Sequence, residues 1–157
     1  MIRLATIDDL NMVLEWRNSP AVIKDSTLQR EVTLEEHSQW FEATVPGITR
    51  LLWIVYTPPD QSEREWAAGT VRIDNHNWYG VVSIYLLPEF QGKGLGGKSL
   101  TEACKQALDH WPDMRELWAY IRRENLVSQF AFGAVGFRES ATIGCPPGHL
   151  VMVKVRG

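Results

Sequence analysis

At 157 residues and 45% hydrophobic content, the chain has material for one well-packed domain, 1–157, and too little for two. Its 16 basic and 19 acidic residues are mixed along the chain and leave a net charge of −3, which argues against the basic stripe a nucleic-acid binder needs. No stretch approaches the roughly 20 apolar residues of a membrane span, and "MIRLATIDDL" lacks the apolar core of a leader, so a soluble cytoplasmic protein without a membrane partner is expected.

The elements follow in order. Ile2 to Ala5 reads as a short strand, and Thr6 with Asp9 opens a helix to about Trp16, supported by Leu10, Val13 and Leu14. "NSPAVIKDSTLQREV" has no period and carries a proline; Thr33 with Glu36 then opens a second helix whose buried face includes Leu34, Trp40 and Phe41. "RLLWIVYT", "EWAAGTVRID" and "GVVSIYLL" form an antiparallel meander broken at Pro-Pro-Asp and Asn-His-Asn. An amphipathic helix from about Gly96 to His110 follows, with Leu100, Ala103, Cys104, Ala107 and Leu108 on one face. "ELWAYI" is a strand, Asn125 to Val135 a helix, and a strand pair ending in "GHLVMVKV" closes the chain after the loop "IGCPPG". Cys104 and Cys145, and the four histidines, have no metal-site spacing, so reduced thiols and no metal are expected.

"QGKGLGGKS", residues 91–99, is the segment that carries chemistry. Gly92 to Ser99 fits G-x-x-x-x-G-K-S, Gly92, Gly94 and Gly97 fit G-x-G-x-x-G, and Gln91 through Gly94 to Gly96 fits Q-x-x-G-x-G. All three turn successive amides onto a phosphate at a helix N-terminus. A triphosphatase also needs a later apolar strand ending in a magnesium-binding Asp, yet "ELWAYI" runs into Arg122, Arg123 and Glu124. A dinucleotide fold should alternate strand and helix from its start, and here the loop lies behind an antiparallel meander. The third pattern, an acetyl-CoA loop, fits the order of elements.

Four stretches carry a family resemblance: "LLPEFQGKGLGG" (86–97), "NLVSQFAFGAVGF" (125–137), "LEWRN" (14–18) and "EEHSQWF" (35–41). The sequence resembles the GNAT N-acetyltransferase superfamily, nearest in pattern to enzymes acting on amino sugar nucleotides or on protein N-termini. The resemblance implies an α/β (α+β) fold, a central mixed, mostly antiparallel sheet of about seven strands flanked by about four helices. It also implies acetyl-CoA as co-substrate, bound where the strand before the loop and the strand after the helix splay apart. Leu86 and Leu87 would then offer backbone groups to the pantetheine arm, and the amides of Gly92, Lys93, Gly94, Leu95, Gly96 and Gly97 would hold the pyrophosphate beside Gln91. Asn125 and Ser128 match cofactor-contacting positions, although Asn125 is equally an ordinary helix N-cap. Phe132 stands where the family's acid tyrosine is usual, leaving Tyr85, Tyr120 or water as its substitute and keeping open a CoA-binding protein without turnover.

For the reaction, a backbone amide near Leu86 would stabilise the oxyanion. Asp74, sharing a strand face with Thr70 and Arg72, is the expected base, with Glu31 and His76 in reserve; it is also a natural turn-starting residue. The first two helices supply the acceptor side: Trp16, Arg17, Asn18, His37 and Trp40, of which the tryptophans also sit at core spacing. The implied acceptor is a small-molecule primary amine, such as a nucleotide-linked amino sugar, with a protein N-terminal amine as the alternative. The seven tryptophans leave room for an apolar homodimer face.

Overall fold

The computed structural model describes residues 1–26, 28–141 and 144–157. Among these are seven strands and five α-helices, in the order β1 (Ile2–Leu4), α1 (Leu10–Arg17), α2 (Pro20–Asp25), α3 (Leu34–Thr44), β2 (Arg50–Tyr56), β3 (Ala67–Asn75), β4 (Tyr79–Leu86), α4 (Leu95–His110), β5 (Glu116–Arg122), α5 (Leu126–Ala134), β6 (Arg138–Ser140) and β7 (His149–Val155). The expected order holds, with one helix more than anticipated. That helix is α2, inside the segment read as aperiodic. Its proline stands at the first helical position, where no backbone N–H is needed and the fixed φ suits the turn. Ile143, the start of the expected loop "IGCPPG", lies outside the described residues.

The helices begin where their caps predict. Asp9 accepts from the Thr6 amide at 2.8 Å. Thr33 and Glu36 cap one another, the Thr33 hydroxyl accepting from the Glu36 amide at 3.1 Å and the Glu36 carboxylate from the Thr33 amide at 3.2 Å. On α3 Phe41 is buried and Trp40 half-buried, whereas Leu34, expected inside, is exposed in the first turn.

One sheet runs β1-β2-β3-β4-β5-β7-β6. Every pairing is antiparallel except β4 with β5, which α4 connects. Val71, Ile73, Val82, Leu117, Ala119 and Ile121 face α4 and α5 and form the larger core with Leu100, Ala103, Phe132 and Phe137. On the opposite face Leu52 and Ile54 meet Val13 of α1 and Phe41 of α3.

Two glycines fix the middle of the sheet. A Cβ on Gly80 would fall 2.8 Å from Met114 Sδ, so the start of β4 sits tightly over that side chain. A Cβ on Gly69 would fall 2.1 Å from the Tyr85 carbonyl oxygen. Only a residue without Cβ lets β3 lie this close to the end of β4.

Candidate active site

The parallel pair is short. β4 and β5 match at Tyr79↔Glu116, Gly80↔Leu117 and Val81↔Trp118, and their pairing stops there. β5 continues in register with β7 to Arg122↔His149, and β4 continues with β3 to Leu86↔Gly69. The two strands therefore part beyond Val81. Because the Leu87 amide donates to Ala68 of the preceding segment at 2.8 Å, strand alternation turns the backbone groups of Ile84 and Leu86 away from β3 and into the gap, beyond the last rung at Val81↔Trp118. This is an edge of strand without a neighbouring strand, inside a sheet.

The glycine loop stands at the mouth of that gap. Gly92 and Gly94 have φ of 74° and 77°, the left-handed region that favours glycine, and a Cβ on either would meet no atom within 4 Å. Gly94 is the N-cap of α4, so the first free amides of this 16-residue helix open on the same space. At Gly96 a Cβ would lie 3.7 Å from Leu86 Cδ1 and 4.0 Å from Ala131 Cβ, which sets the helix start between β4 and α5. Open space over positive-φ glycines, a helix N-terminus and an unpaired strand edge fit the diphosphate and the amide-bearing arm of a coenzyme A. Leu95 is buried, while Lys93 and Lys98 are exposed beside the loop.

Several expected roles change. Leu87 cannot offer its amide to a pantetheine arm, because that N–H is bonded to Ala68, and its carbonyl accepts from Phe90 at 2.9 Å. Gln91 turns back so that its Nε2 donates to the Leu86 carbonyl at 3.0 Å, bracing the strand end rather than reaching a phosphate. Asn125 is the N-cap of α5, its Oδ1 accepting from the Ser128 amide at 3.1 Å. Phe132 is 2% exposed and meets Phe137 edge-on at 4.9 Å between centroids, as a core residue.

The face opposite α4 and α5 carries Thr70, Arg72 and Asp74 from β3, matched to Tyr85, Ser83 and Val81 of β4. Asp74 is four rungs from Tyr85, about 13 Å along the strands at 3.3 Å per residue. Its carboxylate is also occupied, by Arg50 Nε at 2.5 Å and Arg72 Nη2 at 3.2 Å. Position and partners both remove Asp74 from the expected role of base: it is the anchor of an arginine pair.

Three acceptor-side residues are likewise structural. Asn18 spans to Val32, donating to its carbonyl at 2.9 Å and accepting from its amide at 2.8 Å. Arg17 donates to the carbonyls of Leu28 and Arg30 at 2.8 and 3.1 Å. His37 is buried, with Nε2 2.9 Å from the Leu10 carbonyl; desolvation holds its pKa below the usual histidine value, so the ring is neutral and Nε2 donates. Trp16 and Trp40 do flank the exposed part of this face. Trp16 meets Tyr85 edge-on at 6.3 Å, and Arg50 and Arg72 lie over the Trp40 ring at 4.9 and 5.8 Å.

Burial raises the Tyr85 hydroxyl well above the usual tyrosine range, against the opposing pull of Thr70, Arg17 and Arg72. It holds its proton and can donate a hydrogen bond, but it does not match a proton-transferring acid. His149 was not singled out by the sequence. It stands on β7, beyond β5, on the same sheet face as Tyr85, since Arg122↔His149 continues the rungs that begin at Val81↔Trp118; two strand spacings, about 10 Å, separate β7 from β4 before the splay is added. Its Nδ1 is 2.9 Å from the Pro147 carbonyl, an acceptor only, so Nδ1 carries a proton and the tautomer with that single proton leaves a lone pair on Nε2. Only the rung count along β5 and β7 would have revealed it.

A helix N-terminus and glycine loop beside a splayed parallel pair define an acyl-CoA-type acetyltransferase fold. Residues 1–138 match the family model described as "Acetyltransferase (GNAT) domain", and the chain belongs to this family of N-acetyltransferases. Solved structures agree in fold over nearly the whole chain. A domain from Methanocaldococcus jannaschii DSM 2661 superimposes with a TM-score of 0.85 at 21% identity, covering 99% of this chain and 97% of that one. The spermidine N-acetyltransferase from Vibrio cholerae, in complex with CoA and spermine, gives 0.77 at 15% identity, covering 99% and 94%. Aminoglycoside acetyltransferase AAC(6')-Ib, in complex with coenzyme A and kanamycin, gives 0.74 at 20% identity over the same shares, 99% and 94%. No curated protein matches the sequence at a significant level. Among the described residues there is no His, Cys, Asp or Glu cluster suited to a metal and no helix long and apolar enough to cross a membrane.

Proposed function

We propose that this protein transfers the acetyl group of acetyl-CoA to a primary amine of a small molecule, with a nucleotide-linked amino sugar as the acceptor its first helices resemble. The observation that carries the reading is the parting of β4 from β5 after Val81 beside the glycine loop. CoA complexes among its structural neighbours support the co-substrate, and their acceptors, kanamycin and spermine, support the small-amine class.

The open edge from Ile84 to Leu86 would pair with the pantetheine amides as an added strand, and the amides of Gly92 to Gly97 would hold the pyrophosphate. Asn125 and Ser128, at the start of α5, border the same arm. The Leu86 amide would receive the thioester oxygen as it gains charge. The amine attacks from the Tyr85 face as the neutral base, forming the C–N bond while the C–S bond breaks. The proton the nitrogen loses would reach His149 Nε2 through water, since β5 lies between, and would pass on through solvent to the departing thiolate. A free thiol has a pKa of about 8.5, so the thiolate leaves without a matched acid and Phe132 is no obstacle.

The test is acetyl-CoA consumption with mass identification of product, against amino sugar nucleotides, polyamines and N-terminal peptides. Turnover on a small amine supports the reading; turnover confined to peptides would move the acceptor to protein N-termini. The proton route has its own test. His149→Gln should lower kcat/KM about 10²-fold, within the usual range for a general base. Asp74→Asn should instead keep kcat within a few fold and reduce thermal stability, because it breaks the pairing of Arg50 and Arg72. The reverse pattern would return the base to Asp74.

A further inference from the structure

We infer that the corner formed by Arg72 and Tyr85 is an anion site, and that the acceptor amine carries a carboxylate or phosphate to fill it. The identity of the occupant rests on the acetyl-transfer reading above; the anion site itself does not.

Two buried donors meet there without acceptors. Arg72 Nε and the Tyr85 hydroxyl are both shielded from solvent, and among the described residues neither has a partner at hydrogen-bond distance; the Thr70 hydroxyl opposite draws on Tyr85 without reaching that distance. They stand on the same sheet face on adjacent positions, Arg72 opposite Ser83 and Tyr85 opposite Thr70. A buried donor without an acceptor costs about 1–3 kcal/mol, so two side by side are an arrangement that a ligand oxygen repairs. A polyamine, which brings mainly donors, repairs neither.

Charge points the same way. Asp74 is shared by Arg50 and Arg72, and among the described residues no carboxylate lies within salt-bridge distance of Arg17, whose guanidinium is held by two carbonyls. Arg50 and Arg72 thus share one carboxylate and Arg17 has none among these residues, in a chain whose overall charge is −3. Arg72 is held from one side only, through Nη2 to Asp74 at 3.2 Å and to Ser83 at 3.3 Å. Its side chain keeps 36% of its surface open beside the Trp40 ring. A planar fork with spare donors suits a carboxylate or phosphate oxygen pair. The ammonium of the same acceptor would then point along β4 toward Leu86.

The experiment uses the whole chain labelled with ¹⁵N-arginine and saturated with CoA, so that the glycine loop is occupied. Inorganic phosphate and acetate are titrated separately while the Arg72 Nε–Hε resonance is followed. A saturable shift with either probe is expected, weakened in Tyr85→Phe, which leaves the Asp74 pairing intact; Arg72→Gln, which lacks that resonance, serves to assign it. Acetate alone would mark a carboxylate acceptor, and phosphate alone a phosphorylated one. In turnover, the kcat/KM ratio of O-phosphoethanolamine or glycine over ethanolamine should fall about tenfold or more in Tyr85→Phe, as expected for a hydrogen bond to a charged group. No shift with either anion, or equal ratios in wild type and Tyr85→Phe, would overturn the inference. A saturable shift with no turnover on any amine would keep the anion site and bring down the acetyl-transfer reading.

Discussion

Gly94→Val is expected to abolish CoA binding while leaving the fold standing. The residue has φ of 77° and caps α4, and nothing lies within 4 Å of where its Cβ would be. A valine there suffers twice. The left-handed conformation costs an L-residue roughly 1–2 kcal/mol, and a branched side chain suits it worse than most. The side chain would also stand in the space over the loop, between the amides and the diphosphate. Two lost hydrogen bonds to a charged group, at about 1.5–3 kcal/mol each, correspond to a hundredfold or larger rise in Kd. Calorimetric titration measures it, with circular dichroism to confirm that the helices persist. CoA affinity within tenfold of wild type would remove the loop from the binding site. Tight magnesium-dependent ATP binding by the wild type, with no CoA binding, would restore the triphosphatase pattern.

Gly69→Ala should damage turnover from the other side of the strand. The added Cβ would lie 2.1 Å from the Tyr85 carbonyl oxygen and 2.9 Å from Leu86 Cα, both backbone atoms that no rotamer change can move aside. β3 and β4 must separate at the rung that carries Tyr85 and Leu86, weakening the Leu87 to Ala68 hydrogen bond beside it. A shift of about 1 Å at reacting groups costs on the order of 10²-fold in rate, and overpacking costs about 1–3 kcal/mol of stability. Gly133→Ala is the control, since its Cβ would meet only Met152 Cε at 3.9 Å. Equal activity of the two variants would show that the end of β4 tolerates displacement.

Much of this was legible in the sequence. Alternation in "GTVRID" and "GVVSIYLL" marks two half-buried strands, and "QGKGLGGKS" marks the strand-to-helix turn, because period and glycine content are local properties. Pairing distance is not. Asp74, Arg72 and Thr70 share a face by alternation alone, but only the hairpin register Asp74↔Val81 reveals that Asp74 stands far from Leu86. The same holds for Leu87, whose position beside the motif suggested a cofactor contact until the direction of its amide excluded one. Arg17 and Asn18 resembled acceptor residues because of their type and place. Their hydrogen bonds to the backbone of residues 28–32 arise from a loop with no period to read. His149 was missed because histidine at a strand start has no local signature.

The short seam between β4 and β5 has a consequence for motion. Three matched positions join β1–β4 to β5–β7 within the sheet; α4 laid across it and the hydrogen bond from Arg122 to the Ser26 carbonyl, 2.9 Å, add to the junction. The amides of Ile84 and Leu86 should therefore exchange with solvent deuterium quickly in the free protein, although they sit mid-sheet. A coenzyme arm lying along that edge would act as the missing strand, slowing these amides and joining the two half-sheets into one cooperative unit. Saturation with CoA should then raise the unfolding temperature and sharpen the transition, as ligand binding to the folded state requires.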